Sequence, residues 1–187
     1  MDIYEQCPTM QDDRYLARPL KPGDAFDLFP VYSDVAALPF FNSDNCDGDN
    51  FHYATITRMQ EAVDFWIGAY LKGWFVRWSI VDKATGALIG TIEMCRRRAD
   101  DAFDDVVLRV DVSSKYERAG HLASLLRVAL QGAPYFGAPR VILKVPVYAI
   151  ERAKAATAVG FKPSDGLLVG KDGYAYKDYW ELRASNR

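Results

Sequence analysis

The sequence is short of the residues that staple small folds or build metal centres: it holds three cysteines and two histidines in 187 positions. Cys7, Cys46 and Cys95 are odd in number, far apart and in no C-x-x-C spacing, which argues against a disulfide framework and against a zinc site. Reduced thiols and a cytoplasmic location are expected. His52 and His121 are too few and too separated for a metal site or a nucleophile triad, so no metal is expected. No stretch approaches the ~20 consecutive apolar residues that span a bilayer. The N-terminus carries Asp2, Glu5, Asp12 and Asp13 with no apolar segment behind them, so neither export nor a membrane partner is expected. Nor is there an excess of positive charge. A net charge of -2 and a pI near 5.7 provide no broad cationic field for a phosphate backbone, and no nucleic-acid partner is expected. The one basic cluster, Arg96, Arg97 and Arg98, is followed at once by Asp100, Asp101, Asp104 and Asp105, and reads as a charged hairpin end in water.

What is present is a chain with half its residues apolar, enough for a proper core, and one domain over 1–187 is the expectation. Residues 14–20 alternate like a strand, and Lys21-Pro22-Gly23-Asp24 is turn chemistry leading into a helix with an acidic first turn. From about Pro39 to Thr57 the chain is rich in Asn, Asp, Gly and aromatics without a period, which reads as a long loop; its aromatic part, 39–53, suggests a ligand or partner surface, though aromatics also simply pack. Thr57 is placed to cap the next helix, in which Met59, Val63, Trp66, Ile67 and Tyr70 share a face up to Gly73. Two strands between 74 and 97 are joined by Asp82-Lys83-Ala84-Thr85-Gly86. A strand at 105–112, a helix at 118–132 with Leu122, Leu125, Leu126 and Ala129 inward, a strand at 139–147, and a helix at 149–159 stopped by Gly160 follow in turn. The chain closes with strands ending in 174–183. Helices inserted between strands in this order predict a mixed sheet covered on both faces.

That order, with VDKATGALIG at 81–90, VVLRVDVSSKYERAGHLASLL at 106–126 and AIERAKAATAVGF at 149–161, resembles the GNAT acetyltransferase superfamily over residues 14–183. The opening RPLKPGDA and the closing Lys177-Asp178-Tyr179-Trp180 look most like the branch that holds the ribosomal-protein N-terminal acetyltransferases. The resemblance implies an α/β (α+β) fold, with a mostly antiparallel sheet of six or seven strands and about four helices. It implies acetyl-CoA as cosubstrate, with an acetyl group moved to a primary amine on a small molecule or a peptide N-terminus. An acyltransferase for a longer acyl group, and a GNAT-fold module that binds acyl-CoA or another ligand without catalysis, are the competing readings; a homodimer stays open.

In that family a helix N-terminus cradles the coenzyme's pyrophosphate on backbone N–H groups, aided by the helix dipole. The matching stretch is Arg118, Ala119, Gly120, His121, Leu122 and Ala123, while the backbone at Val110 and Val112 would meet the acyl carbonyl. The family pattern, Arg or Gln, two residues, Gly, one residue, Gly or Ala, falls on Glu117, Gly120 and Leu122 in the phase that fits the leucines. Shifted by one, it places Arg118 and Ala123 correctly but His121 on the Gly position. Ala149 and Ala156 stand where relatives often have Asn and a general-acid Tyr, and Val106 and Val107 stand near the place of a Glu.

Period-two reading of the central strands gives polar sets at Arg77 and Ser79, at Thr91, Glu93 and Cys95, and at Arg109 and Asp111. Charge on central strands is costly unless it pairs or lines a wet cavity, so this face is where the acceptor site is expected. Glu93 is the first candidate general base, with pairing to Arg109 as its structural alternative. Asp111 is the second. Tyr148, after the fifth strand, is the candidate acid toward the departing thiol, with a packing role as the alternative. Cys95 as an acyl-carrying nucleophile is disfavoured, since no His neighbours it.

Overall fold

The computed structural model describes residues 2–98 and 101–183; Asp100 of the acidic cluster lies outside them. The chain opens with β1 (Met10–Gln11), β2 (Tyr15–Pro19), α1 (Asp24–Tyr32) and α2 (Ile56–Leu71). It continues through β3 (Val76–Asp82), β4 (Leu88–Arg96), β5 (Val106–Val112), α3 (Ala119–Leu130) and β6 (Arg140–Lys144). It ends with α4 (Ile150–Val159), β7 (Lys162–Pro163), β8 (Leu168–Val169), β9 (Ala175–Tyr176) and β10 (Tyr179–Arg183). The main sheet runs β1-β2-β3-β4-β5-β6-β10-β7, eight strands counting the two-residue edges β1 and β7. Among the described residues only β5 and β6 pair in parallel; β8 and β9 form a separate hairpin.

Both sheet faces are covered. On one, α3 and α4 lay Leu122, Leu125, Leu126, Ala155 and Ala156 on Trp78, Ile92, Leu108 and Val110. On the other, α1 and α2 close an aromatic layer of Tyr32, Phe41, Phe51, Tyr53 and Trp66. The aromatics of the long loop therefore pack: Phe41, Phe51 and Tyr53 are buried, because α1 and α2 alone leave this face uncovered.

Several local readings are corrected by the fold. Thr55, not Thr57, caps α2, its side chain accepting from the Arg58 N–H, since only the residue before the first helical turn has the extended backbone a cap needs. The last strand is interrupted at Asp178, which sits at φ 67° between β9 and β10. The Arg96–Asp105 segment is more than a solvated end. Arg97 forks onto Asp101 and also donates to the Phe103 and Val169 carbonyls, while Arg140 holds the buried Asp105. Burial would push the Asp101 carboxyl up, yet the Arg97 and backbone hydrogen bonds hold it down at about 2.

Gly90 marks where the sheet distorts. A Cβ there would lie 2.0 Å from the Asp111 carbonyl oxygen, so only glycine lets β4 and β5 come this close, and the β3–β4 register shifts beside it between Ile80 and Val81.

Candidate active site

At the same end of the sheet β5 and β6 part company. Their parallel pairing runs Val106↔Val141, Val107↔Ile142, Leu108↔Leu143 and stops. Beyond it, Arg109–Val112 pair with β4 alone, while Lys144 pairs with Tyr179 of β10 and the Val145 N–H goes to the Asp178 carbonyl at 2.8 Å. The result is a fork whose two arms have different neighbours. The segment after α1 bridges it. The Asp34 carboxylate accepts from the Ser114 N–H at 2.8 Å on the β5 side, and the Pro39 carbonyl accepts from the Tyr148 hydroxyl at 2.6 Å on the β6 side.

The start of α3 stands beside the fork. Arg118 is its N-cap residue and contributes no side-chain cap; instead the Ala119 N–H donates to Glu151 of α4 at 3.0 Å. A carboxylate drawn to this helix end shows that it attracts anions, as orphan N–H groups and the helix dipole require. A Cβ at Gly120 would meet nothing within 4 Å, so this position is open. Glu117 turns inward, where it forms a buried pair with Arg152, next in sequence to Glu151. Leu122 and Ala123 belong to the core, and the Leu122 N–H is already used by the Arg118 carbonyl. That leaves Arg118, Ala119, Gly120 and His121 as the part of the stretch that reaches solvent. His121 is engaged from below: the Tyr15 hydroxyl and the Arg14 guanidinium, the latter at 3.3 Å, both point at its Nδ1. Burial, with Arg14 adding to it, lowers its pKa.

On the α1/α2 face, register brings the polar sets together as period two requires: Arg77↔Glu93, Ser79↔Thr91, Thr91↔Asp111 and Glu93↔Arg109. Arg77 gives Nε to Glu93 Oε2 at 3.0 Å and a terminal N–H to the same oxygen, while Arg109 takes Oε1. Burial alone would raise the Glu93 carboxyl, but the two guanidinium groups hold it below the ordinary range. Such a carboxylate is a poor proton acceptor at neutral pH. Asp111 is the opposite case. It is 1% exposed, neither of its oxygens has a protein hydrogen-bond partner, and Arg77 comes no nearer than 3.8 Å. Burial pushes its carboxyl up to about 6, with Arg77 only partly opposing. Tyr32 ties this layer to α1, its hydroxyl meeting Thr91 Oγ1 at 2.7 Å and a guanidinium nitrogen of Arg77 at 3.0 Å.

Asp44 and Lys144 are not marked as site residues by the sequence, and Tyr179 enters there only through the closing stretch Lys177-Asp178-Tyr179-Trp180. Asp44, from the long loop, accepts from Lys144 and from the Tyr179 hydroxyl, and its carbonyl accepts from Arg109 at 2.9 Å. The period-two position of Lys144 at the end of β6 was the only available signal; nothing in the sequence marks Asp44. Above this floor opens a cavity of about 680 Å³, lined by Arg77, Glu93 and Arg109, by the aromatics Phe65, Trp66, Trp74 and Phe75, by Arg96, Arg97, Arg98 and Lys171, and by Asp44, Asp47 and Asp49. Cys46 and Cys95 also line it, and burial raises both thiols to about 11, which removes them as nucleophiles at neutral pH. Among the described residues no group of three or more His, Cys, Asp or Glu could hold a metal ion, and no helix is long and apolar enough to cross a membrane.

No protein-family model matches the chain, and no curated protein matches it. Solved structures do. RimJ of Mycobacterium smegmatis, in complex with CoA-disulfide, superposes with a TM-score of 0.73 at 18% identity, covering 96% of this chain and 88% of that one. A ribosomal-protein-S5-alanine acetyltransferase from Vibrio fischeri gives 0.69 at 16% identity, covering 96% and 98%. A GNAT-family acetyltransferase from Bacillus anthracis gives 0.69 at 13% identity, covering 94% and 98%. With a mostly antiparallel sheet, four helices and a single parallel pair that opens into a fork, the chain has the fold of the GNAT acetyltransferases.

Proposed function

We propose that this protein transfers an acetyl group from acetyl-CoA to a primary amine, on a small molecule or a peptide N-terminus, in the cytoplasm. The observation that carries the reading is the fork. It leaves the β5 backbone at Val110–Val112 without a partner strand on its β6 side, ahead of the start of α3. A similar solved structure from Salmonella typhimurium, described as modifying the N-terminal serine of a ribosomal protein, brings peptide N-termini within the range of acceptors.

When bound, acetyl-CoA supplies the acyl carbonyl and a thiolate leaving group. The first-turn N–H groups of Gly120 and His121, with the exposed Arg118 side chain beside them, would hold its diphosphate. For Ala119 to join them, Glu151 must let go. Backbone N–H groups near Val110 and Val112 would polarise the carbonyl where negative charge develops. As the amine nitrogen bonds to carbon and the C–S bond breaks, the amine proton has to leave. Asp111, a buried carboxylate with no protein hydrogen-bond partner, is assigned to accept it through water, in preference to the doubly clamped Glu93. Tyr148 is assigned to the bridge over the fork, because its hydroxyl proton is spent on Pro39. Protonation of the thiolate then falls to solvent.

Thiol release from acetyl-CoA across a panel of amines tests the reading; release that depends on both substrates is the expected result. One observation favours a second reading. The Glu151 carboxylate already sits on the Ala119 N–H, which suits a binding module with a weak or altered ligand site. Calorimetric binding of acetyl-CoA without thiol release from any amine would select that reading.

A further inference from the structure

The cavity over the Arg77–Glu93–Arg109 floor has an uneven lining. Phe65 and Trp74 are 57% and 53% exposed, a large apolar surface to leave in water. Their ring centres lie 6.5 Å apart, and Phe65 lies 6.3 Å from Phe75, so the aromatic wall runs without a break from rim toward floor. There Trp66 already holds one flat cation, the Arg77 guanidinium, 3.9 Å from its ring centre. The remaining lining is mixed in charge, with Arg96, Arg97, Arg98 and Lys171 beside Asp44, Asp47 and Asp49, and Lys72 adds an ammonium 4.7 Å from the Trp74 ring centre. At about 680 Å³ the space suits a small molecule, and mostly apolar walls with a few polar groups are what such sites use. Arg109 is both part of its floor and the first β5 residue past the last pair with β6, so the cavity adjoins the fork.

We propose that this cavity is the acceptor site and that its occupant is a primary amine on a planar aromatic body. The aromatic body lies along Phe65, Trp74 and Phe75 and the amine points to the fork. Spermidine carries primary amines without an aromatic body to lie on this wall. The inference rests on the acetyl-transfer reading for the fate of the amine: its nitrogen forms the amide C–N bond, the thioester C–S bond breaks, and the amine proton passes to water, with Asp111 outside the cavity lining. Its binding claim stands apart from that.

The test measures tryptamine and spermidine binding by calorimetry in the absence of acyl-CoA, then thiol release with each in its presence. Tryptamine is expected to bind at least about tenfold more tightly than spermidine. Trp74→Ala and Phe65→Ala should each weaken tryptamine by up to about tenfold, with acetyl-CoA affinity and melting temperature unchanged, because both side chains are exposed. Spermidine binding as tightly as tryptamine, or both variants binding tryptamine like the parent, overturns the proposal. Tryptamine binding with no thiol release from any amine keeps the cavity assignment and removes acetyl transfer. Thiol release with spermidine alone does the reverse.

Discussion

Arg77 and Glu93 face each other across β3 and β4, and one carboxylate oxygen takes two N–H donors from that single guanidinium. Both side chains are buried, and Arg109 completes the clamp from β5. Removing the charge from Glu93 leaves two buried guanidinium groups short of a partner. Glu93→Gln is therefore expected to cost about 3 to 5 kcal/mol of stability, read as a drop in melting temperature. A variant that melts with the parent and loses turnover alone would return Glu93 to the role of base.

Asp111 contributes the opposite sign. Its unfolded carboxyl titrates near ~3.9, and the folded one is raised to about 6. Between these values the folded state keeps a proton that the unfolded state has lost. Its contribution is thus fully present below about pH 4 and is lost as pH rises through 6. Asp111→Asn should stabilise the protein at pH 7 to 8 by on the order of 2 kcal/mol and by nothing at pH 4. Melting curves across pH check this. If Asp111 also takes the amine proton, the same variant loses roughly 10²- to 10⁴-fold in rate; a more stable variant with unchanged turnover would leave that step to solvent.

Glu117 is held by Arg152 beneath the start of α3, so its carboxylate does not face a phosphate at the helix end. Neutralising it should not tighten acetyl-CoA. Glu117→Gln is expected instead to lower stability by a few kcal/mol, about the cost of an unpaired buried arginine. Tighter acetyl-CoA binding with an unchanged melt would show that the pair opens toward the ligand.

Glu151 is the carboxylate that does sit at this helix end. Glu151→Gln removes a negative charge from beside the Ala119 N–H, and acetyl-CoA affinity is expected to rise roughly two- to fivefold. The gain should shrink in high salt, because the site is open to solvent. Weaker binding in the variant would mean that Glu151 supports the ligand's seat.

Tyr148 gives its hydroxyl to Pro39, and its ring lies 6.2 Å from Phe40. Tyr148→Phe breaks the link on the β6 side of the fork. The expected result is a change in acetyl-CoA KM with kcat nearly kept; a large fall in kcat alone, of about 10²-fold, would make Tyr148 the acid.

The amino-acid sequence by itself determined the element order, the inward faces of α2 and α3, and the period-two polar sets. Each of these is a local or periodic property, set by 3.6- and 2-residue repeats and by turn chemistry. Pairing then set Arg77 and Arg109 on either side of Glu93, opposite it on β3 and β5. What each charged group does was decided by tertiary structure alone. Glu93 and Asp111 are both carboxylates on central strands, yet one is clamped by two arginines and the other has no hydrogen-bond partner. Which arginine reaches which carboxylate depends on side-chain length and on what α1, α2 and the loop lay over the sheet. The same holds for Asp44 on Lys144 and for Glu151 on the Ala119 N–H, contacts spanning 100 and 32 residues of chain. No sequence period connects such partners; they meet only when packing brings distant elements side by side.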